Sequence, residues 1–286
     1  MSADQHNLHN QHNQHNQQDL ISCLQGPFFI GRIAGIELQV AYDLHHNRRL
    51  TPTALHEIVN NAGIHTESEE SLVEYTKQLC QAYDHCTAIA IWDKEGPVYA
   101  ATGHAQEWIL QRTRVPTIQA RALEPYYEPH SWMSAMNGKR ILIIHPFYHS
   151  IQRQLPQLAA LFPNRPWFPS CQIEVVVPPM TCAGNHGGKD WQVHLAAFYE
   201  TMEKKEFDIA LVAAGGYGMI IADMIHTRLH RSVMYIGGAL QLFFGIIGKR
   251  WFDQKEILML MNDHWIRPLK EDQPLHHVRV EKGCYW

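Results

Sequence analysis

Gly215-Gly216-Tyr217-Gly218 is a run whose bare backbone N–H groups can come close to an anion, because glycine carries no Cβ and accepts φ of either sign. If it opens a helix, it aims those donors and the positive helix end at a phosphate. Gly238, within Gly237-Gly238, closes the next apolar run in the same way. The plainer use of such glycines, close packing of a helix on a sheet, accounts for them equally well. As a dinucleotide fingerprint the run fails. Ile221 stands where the third glycine belongs, and no acid after Gly238 serves a ribose. A nucleotide-diphosphate site fits better than an NAD site.

Other stretches offer charge. Gly245-Ile-Ile-Gly248-Lys249-Arg250 is too short for a phosphate loop and has Arg250 where a Ser or Thr would hold magnesium. Lys249 and Arg250 can still clamp a diphosphate, or simply sit at a cationic helix end. Arg32 and Glu37 flank the turn Gly31-Arg32-Ile33-Ala34-Gly35-Ile36-Glu37, where they can serve a phosphate and a sugar hydroxyl or metal, or form a structural ion pair. His145 precedes Pro146 at the end of an apolar run and is a candidate acid, base or phosphate donor. Asp190 closes the polar loop 183–190, as a helix cap or an acceptor-side group. His145/His149 and His226/His230 have the i, i+4 spacing of a shared metal on a helix. Neither has the Glu of H-E-x-x-H, so polar surface histidines are the preferred reading of His226 and His230.

The elements that must carry these residues alternate. Residues 28–33 read as a strand, and 36–44 as a short helix after the Ala34-Gly35 turn. Helical patterns cover 52–61 and 67–83, the latter with Leu72, Tyr75, Thr76 and Leu79 at helical spacing. A strand is expected at 88–92, a helix at 106–112, an extended run at 116–123 and a helix at 130–136. From residue 140 the rhythm is strand 140–145, helix 150–161 interrupted by Pro156, strand 173–177, helix 191–204, strand 208–213, helix 217–229 and strand 233–236. Such alternation implies an α/β fold: a doubly wound, mainly parallel, Rossmann-like sheet flanked by helices. Ligands of such sheets sit beyond the strands' carboxyl ends, here 145–147, 213–216 and 237–238.

Composition narrows the field. The 286 residues are 45% hydrophobic and 18% charged, with a formal net charge of −4. That suits a globular domain over 21–286 and gives no basic footprint for nucleic acid. Residues 1–20, with His6, His9, His12 and His15 in an Asn/Gln-rich tract, should form a disordered tail. Six scattered cysteines without a CxxC pair suit reduced thiols in a cytoplasm. The run 233–247 is interrupted by Gln241 and glycines and falls short of the roughly 20 residues a transmembrane helix needs. Homo-oligomerisation stays open.

Several blocks together resemble a known group. They are Gly31 to Glu37, Gly138 to Phe147, Phe207 to Ala210 leading into Gly215 to Gly218, Gly237 to Gln241, Gly248 to Trp251, and Gly283-Cys284-Tyr285-Trp286. They look like bacterial proteins associated with surface-polysaccharide synthesis, a group distantly similar to glycosyltransferases of the GT-D fold. The resemblance spans residues 28–286 and implies a GT-D-like domain. It also implies transfer of a hexose from a nucleotide-diphosphate sugar to a glycan or related acceptor. In GT-D enzymes the first corner reads roughly R-F-G-D-G-E, its Asp and Glu tied to a divalent metal and the sugar nucleotide. Arg32 and Glu37 match, but Gly35 replaces the Asp, which removes a carboxylate from any Mg²⁺ or Mn²⁺ site at Glu37. The resemblance then leaves the diphosphate to Arg32, the Gly215, Gly216 and Gly218 turn, Gly238, Lys249 and Arg250. Glu37 would orient the sugar, with His145 and Asp190 on the acceptor side. A non-catalytic nucleotide-sugar-binding module and an NAD(P)-dependent oxidoreductase are the competing readings.

Overall fold

A computed structural model describes residues 17–286. Its frame is one seven-stranded sheet in the order β3-β2-β1-β7-β6-β4-β5, with every pairing parallel. The strands are β1 (Phe29–Arg32), β2 (Ala88–Ile91), β3 (Thr117–Gln119), β4 (Arg140–Ile144), β5 (Gln172–Val176), β6 (Ile209–Val212) and β7 (Ser232–Tyr235). The expected α/β, Rossmann-like sheet is therefore present.

Strand sequences such as Ile-Ala-Leu-Val in β6 are apolar at every position because both sheet faces are covered. Alternate side chains feed two cores. Leu142 and Ile144 pack with Phe29, Tyr75, Trp191 and Met219 under helices Ile36–His45, Glu69–Asp84, Trp191–Met202 and Gly218–Arg228. Ile141 and Ile143 pack with Ile30, Leu211, Phe243 and Ile151 under helix Tyr148–Gln154 and a series of 3-10 turns. The chain leaves β4 outward to β5 and leaves β6 inward to β7, so a switch in direction lies between β4 and β6.

Several element boundaries differ from the sequence expectation. The helix expected at 106–112 runs Pro97–Thr113, because Pro97 supplies a pre-formed first turn behind Gly96. The extended run at 116–123 is strand only over Thr117–Gln119 and turns into 3-10 helix at Ala120–Leu123. The interruption expected at Pro156 in the 150–161 helix is present, as a 3-10 turn at Leu155–Gln157, because proline has no N–H to give. The disordered tail expected through residue 20 does not include 17–20, since 17–23 are helical. Gln17 and Leu20 are buried, and the Gln17 amide donates to the Ala122 carbonyl (2.8 Å) and accepts from Trp132 N. The rest of the expected tail, residues 1–16, lies outside the described residues. Among the described residues, no helix is long and apolar enough to cross a membrane.

Candidate functional site

The corner after β1 gathers most of the anticipated chemistry. Arg32, the last residue of β1, is nine-tenths buried. Its guanidinium lies 4.3 Å over the Trp92 ring, donates through Nη1 to the Ile236 carbonyl, and holds Nη2 3.9 Å from Glu124 Oε1. That last separation is too long for a hydrogen bond. Arg32 Nε is buried with no partner at all. A buried, permanently charged donor left open is costly unless something outside the chain completes it.

Glu37 sits in the first turn of helix Ile36–His45 and is also buried. Burial pushes its carboxyl above the usual carboxylate range, and the nearby charge of Glu281 adds to this. Hydrogen bonds from the Glu37 and Gly35 backbone N–H groups oppose it. Around it stand Tyr75, Tyr83 and Tyr235, phenols whose pKa values burial and the Glu37 charge both raise. Tyr75 donates to the Gly216 carbonyl at 2.8 Å and Tyr235 to the Gly215 carbonyl at 3.1 Å. The glycine turn after β6 therefore backs onto the Glu37 corner.

The glycines themselves do not form an open cradle. Gly216 N–H donates to the Ala62 carbonyl at 2.8 Å, Tyr217 N–H to Ala214, and Gly218 N–H to Gly215. A Cβ on Gly216 would lie 2.6 Å from Ile64, and one on Gly218 would lie 2.2 Å from the Tyr235 ring. At these positions close packing explains the glycines, and the expected free amides of Gly216 and Gly218 are already taken. Gly215 (φ +50°) packs against the same Ala62 carbonyl.

The far wall comes from the 281–286 segment. A Cβ on Gly237 would meet Arg32 Nη1 at 3.3 Å, and one on Gly238 would meet Tyr285 Cε1 at 2.5 Å. Arg32 and Tyr285 thus flank one dipeptide at the end of β7. Arg250 Nη1 donates to the Tyr285 hydroxyl (2.9 Å) and to Glu281 (3.2 Å), and Glu281 N–H donates to Asn61 (3.3 Å). Lys249, beside it, is exposed. Arg32, Glu37, Gly238 and Arg250 consequently share a rim with Tyr235, Tyr285 and Glu281.

His145 and Asp190 lie elsewhere. β1 and β4 are separated by β7 and β6, which puts their ends about 14 Å apart at the usual strand spacing. His145 is buried, its Nδ1 accepts from Phe147 N–H (2.9 Å), and burial pulls its pKa down to about 3, so it is neutral. Asp190 caps helix Trp191–Met202 through Gln192 N–H (3.1 Å) and also accepts from Glu67 N–H (3.0 Å) and the Ser71 hydroxyl. Partial burial raises its pKa, but those three hydrogen bonds outweigh it and hold the carboxyl below its usual range. Its role is to tie the 183–190 loop to helix Glu69–Asp84. His226 and His230 do not share a helix face, since the helix ends at Arg228 and His230 has φ +53°.

The divalent metal implied by the GT-D resemblance finds few donors. Gly35 contributes none, the lone Glu37 carboxyl is buried with its pKa raised, and among the described residues no group of three His, Cys, Asp or Glu side chains is arranged to hold a metal.

No protein-family model, curated protein or solved structure matches this chain. The likeness to the surface-polysaccharide group rests on the sequence blocks alone. Trp92, Glu124, Tyr235, Tyr285 and Glu281 were not singled out from the sequence, although Tyr285 lies in the terminal Gly-Cys-Tyr-Trp block. A separate groove of about 340 Å³, lined by Gln78, Trp191, Leu195, Tyr199, Met224 and Arg228, includes none of the anticipated site residues.

Proposed function

We propose that the chain binds a nucleotide-diphosphate sugar at the Arg32/Glu37 corner and transfers its hexose to a glycan or related acceptor, as a GT-D-like glycosyltransferase. The observation that carries this reading is the buried Arg32 guanidinium with its Nε unpartnered, beside a buried carboxyl and across from Arg250. A diphosphate entering there completes the open donors of Arg32, and Lys249 and Arg250 add charge at the other side of Tyr285. Both arginines stabilise the charge that grows on the departing diphosphate, which is where stabilisation accelerates transfer. Glu37 hydrogen-bonds a sugar hydroxyl and so orients the sugar. The Gly216 amide takes no part while Ala62 occupies it.

That occupied amide favours a second reading, a module that binds the sugar nucleotide without transferring it, because leaving-group stabilisation then rests on arginines alone. Thermal-shift measurement with UDP-glucose, GDP-mannose and NAD⁺, followed by a transfer assay, separates the readings. A sugar nucleotide should raise the melting temperature, and Arg32→Met should weaken it by roughly 10- to 100-fold, the equivalent of about 1.5–3 kcal/mol for one charged hydrogen-bonding group. A shift without turnover supports the binding module. A shift with NAD⁺ alone refutes both.

A further inference from the structure

We propose that residues 281–286 form a hinged wall of the Arg32/Glu37 corner, which swings about Glu281–Gly283 and carries Tyr285 off the strand ends to admit the ligand. The hinge is three consecutive residues in the left-handed region: Glu281 (φ +45°), Lys282 (φ +59°) and Gly283 (φ +72°). Two of these bear side chains that disfavour that conformation, so the closed arrangement persists only where its contacts outweigh the local strain.

Those contacts lie beyond the hinge and fasten the wall to three other segments. Arg250 N–H donates to the Cys284 carbonyl at 2.8 Å, and its guanidinium reaches the Tyr285 hydroxyl. Gln241 Nε2 donates to the Tyr285 carbonyl at 3.3 Å. Trp286 is buried beside Phe147, with its indole N–H on the Asp272 carbonyl at 3.1 Å. The backbone at Tyr285 can sit this close only because Gly248 has no Cβ, which would otherwise stand 2.5 Å from the Tyr285 carbonyl oxygen. Tyr285 covers Gly238 and, with Arg250 and Glu281, stands on the rim of the corner that holds Arg32 and Glu37. Strain at one end and polar clasps at the other are the properties of a segment with two arrangements.

The opening is independent of the sugar-nucleotide reading, which supplies only the identity of what enters. Cys284 rides on the wall and reports its position. Closed, its thiol is pushed up to about 12, first by burial and then by the Glu281 carboxylate, so little thiolate exists near neutral pH. N-ethylmaleimide labelling, followed by peptide mass spectrometry, reads each cysteine separately. Gly283→Ala is the decisive variant. Its new Cβ meets nothing closer than 3.6 Å, so only the left-handed backbone is penalised. Labelling of Cys284 should accelerate about tenfold while Cys171, outside the wall, keeps its rate. Lys282→Gly, which relieves the same strain, should slow it. Equal Cys284 rates in wild type and Gly283→Ala overturn the hinge, as does a parallel rise at Cys171, which signals general loosening. UDP-glucose at saturation should slow Cys284 labelling. If it raises the melting temperature and leaves that rate unchanged, the wall does not gate the site. If it causes no melting shift while the two hinge variants behave as stated, the hinge holds and the sugar-nucleotide reading fails.

Discussion

Replacing Asp190 by alanine should cost stability and leave the proposed chemistry intact. The carboxylate accepts from Gln192 N–H, Glu67 N–H and the Ser71 hydroxyl, and alanine leaves all three donors without their acceptor. A lost helix cap costs about 1 kcal/mol. The other two bonds, each to a charged acceptor and partly open to replacement by water, bring the total to about 3 kcal/mol. For a chain of this size the melting entropy is roughly 0.6 kcal/mol per degree, so the melting temperature should fall by about 5 °C. Asp190→Asn should lose nearly as much, because one amide oxygen cannot accept from three donors and its NH₂ would face one of them. The hydrogen bonds hold the Asp190 pKa below that of the unfolded chain. Its stabilisation is therefore full above about pH 4 and disappears as pH falls through the lower folded value. Urea unfolding of wild type and Asp190→Ala at pH 7 and pH 3 measures both effects, and Ser71→Ala should be non-additive with it. A loss below about 1 kcal/mol at pH 7, together with abolished transfer, would refute the structural role.

Further outcomes follow from the packing. Gly218→Ala should destabilise by about 3 kcal/mol in urea, since the Tyr235 ring that its Cβ would strike at 2.2 Å is tethered to Gly215 and cannot swing aside. His145 should show no NMR titration between pH 5 and pH 8. With a folded pKa near 3, it contributes stability that is complete above about 6.5 and declines as pH falls through the window down to 3. The decline should approach ~1.4 kcal/mol per pH unit and be absent from His145→Asn, whose Oδ1 can accept from Phe147 N–H.

The sheet was legible because fully buried parallel strands are apolar at consecutive positions, and β4, β6 and β7 are followed within three residues by Pro146, Gly215 and Gly237, which break a strand. Arg32 and Glu37 were legible for a local reason: six residues of one strand-to-helix corner fix both. Boundaries were harder where propensity and packing disagree. Helix Pro97–Thr113 buries little beyond Thr102, Ala105, Gln106 and Ile109, so its apolar period is faint. The helical turn at 17–23 depends on Gln17 reaching Ala122 and Trp132, over a hundred residues away.

The sequence by itself determined the alternation of strands and helices, the two-sided burial of the sheet, and the charged pair at the first corner. Each of these follows from residue types within a few positions of one another. Only the tertiary structure decided what the glycines do and which groups meet. A free N–H and one bonded to Ala62 have the same local sequence, and the approach of Tyr285, Arg250 and Glu281 to Arg32 is a contact between segments more than two hundred residues apart. Burial then raised the Glu37 pKa and lowered that of His145, because the cost of a charge depends on the surroundings that folding assembles.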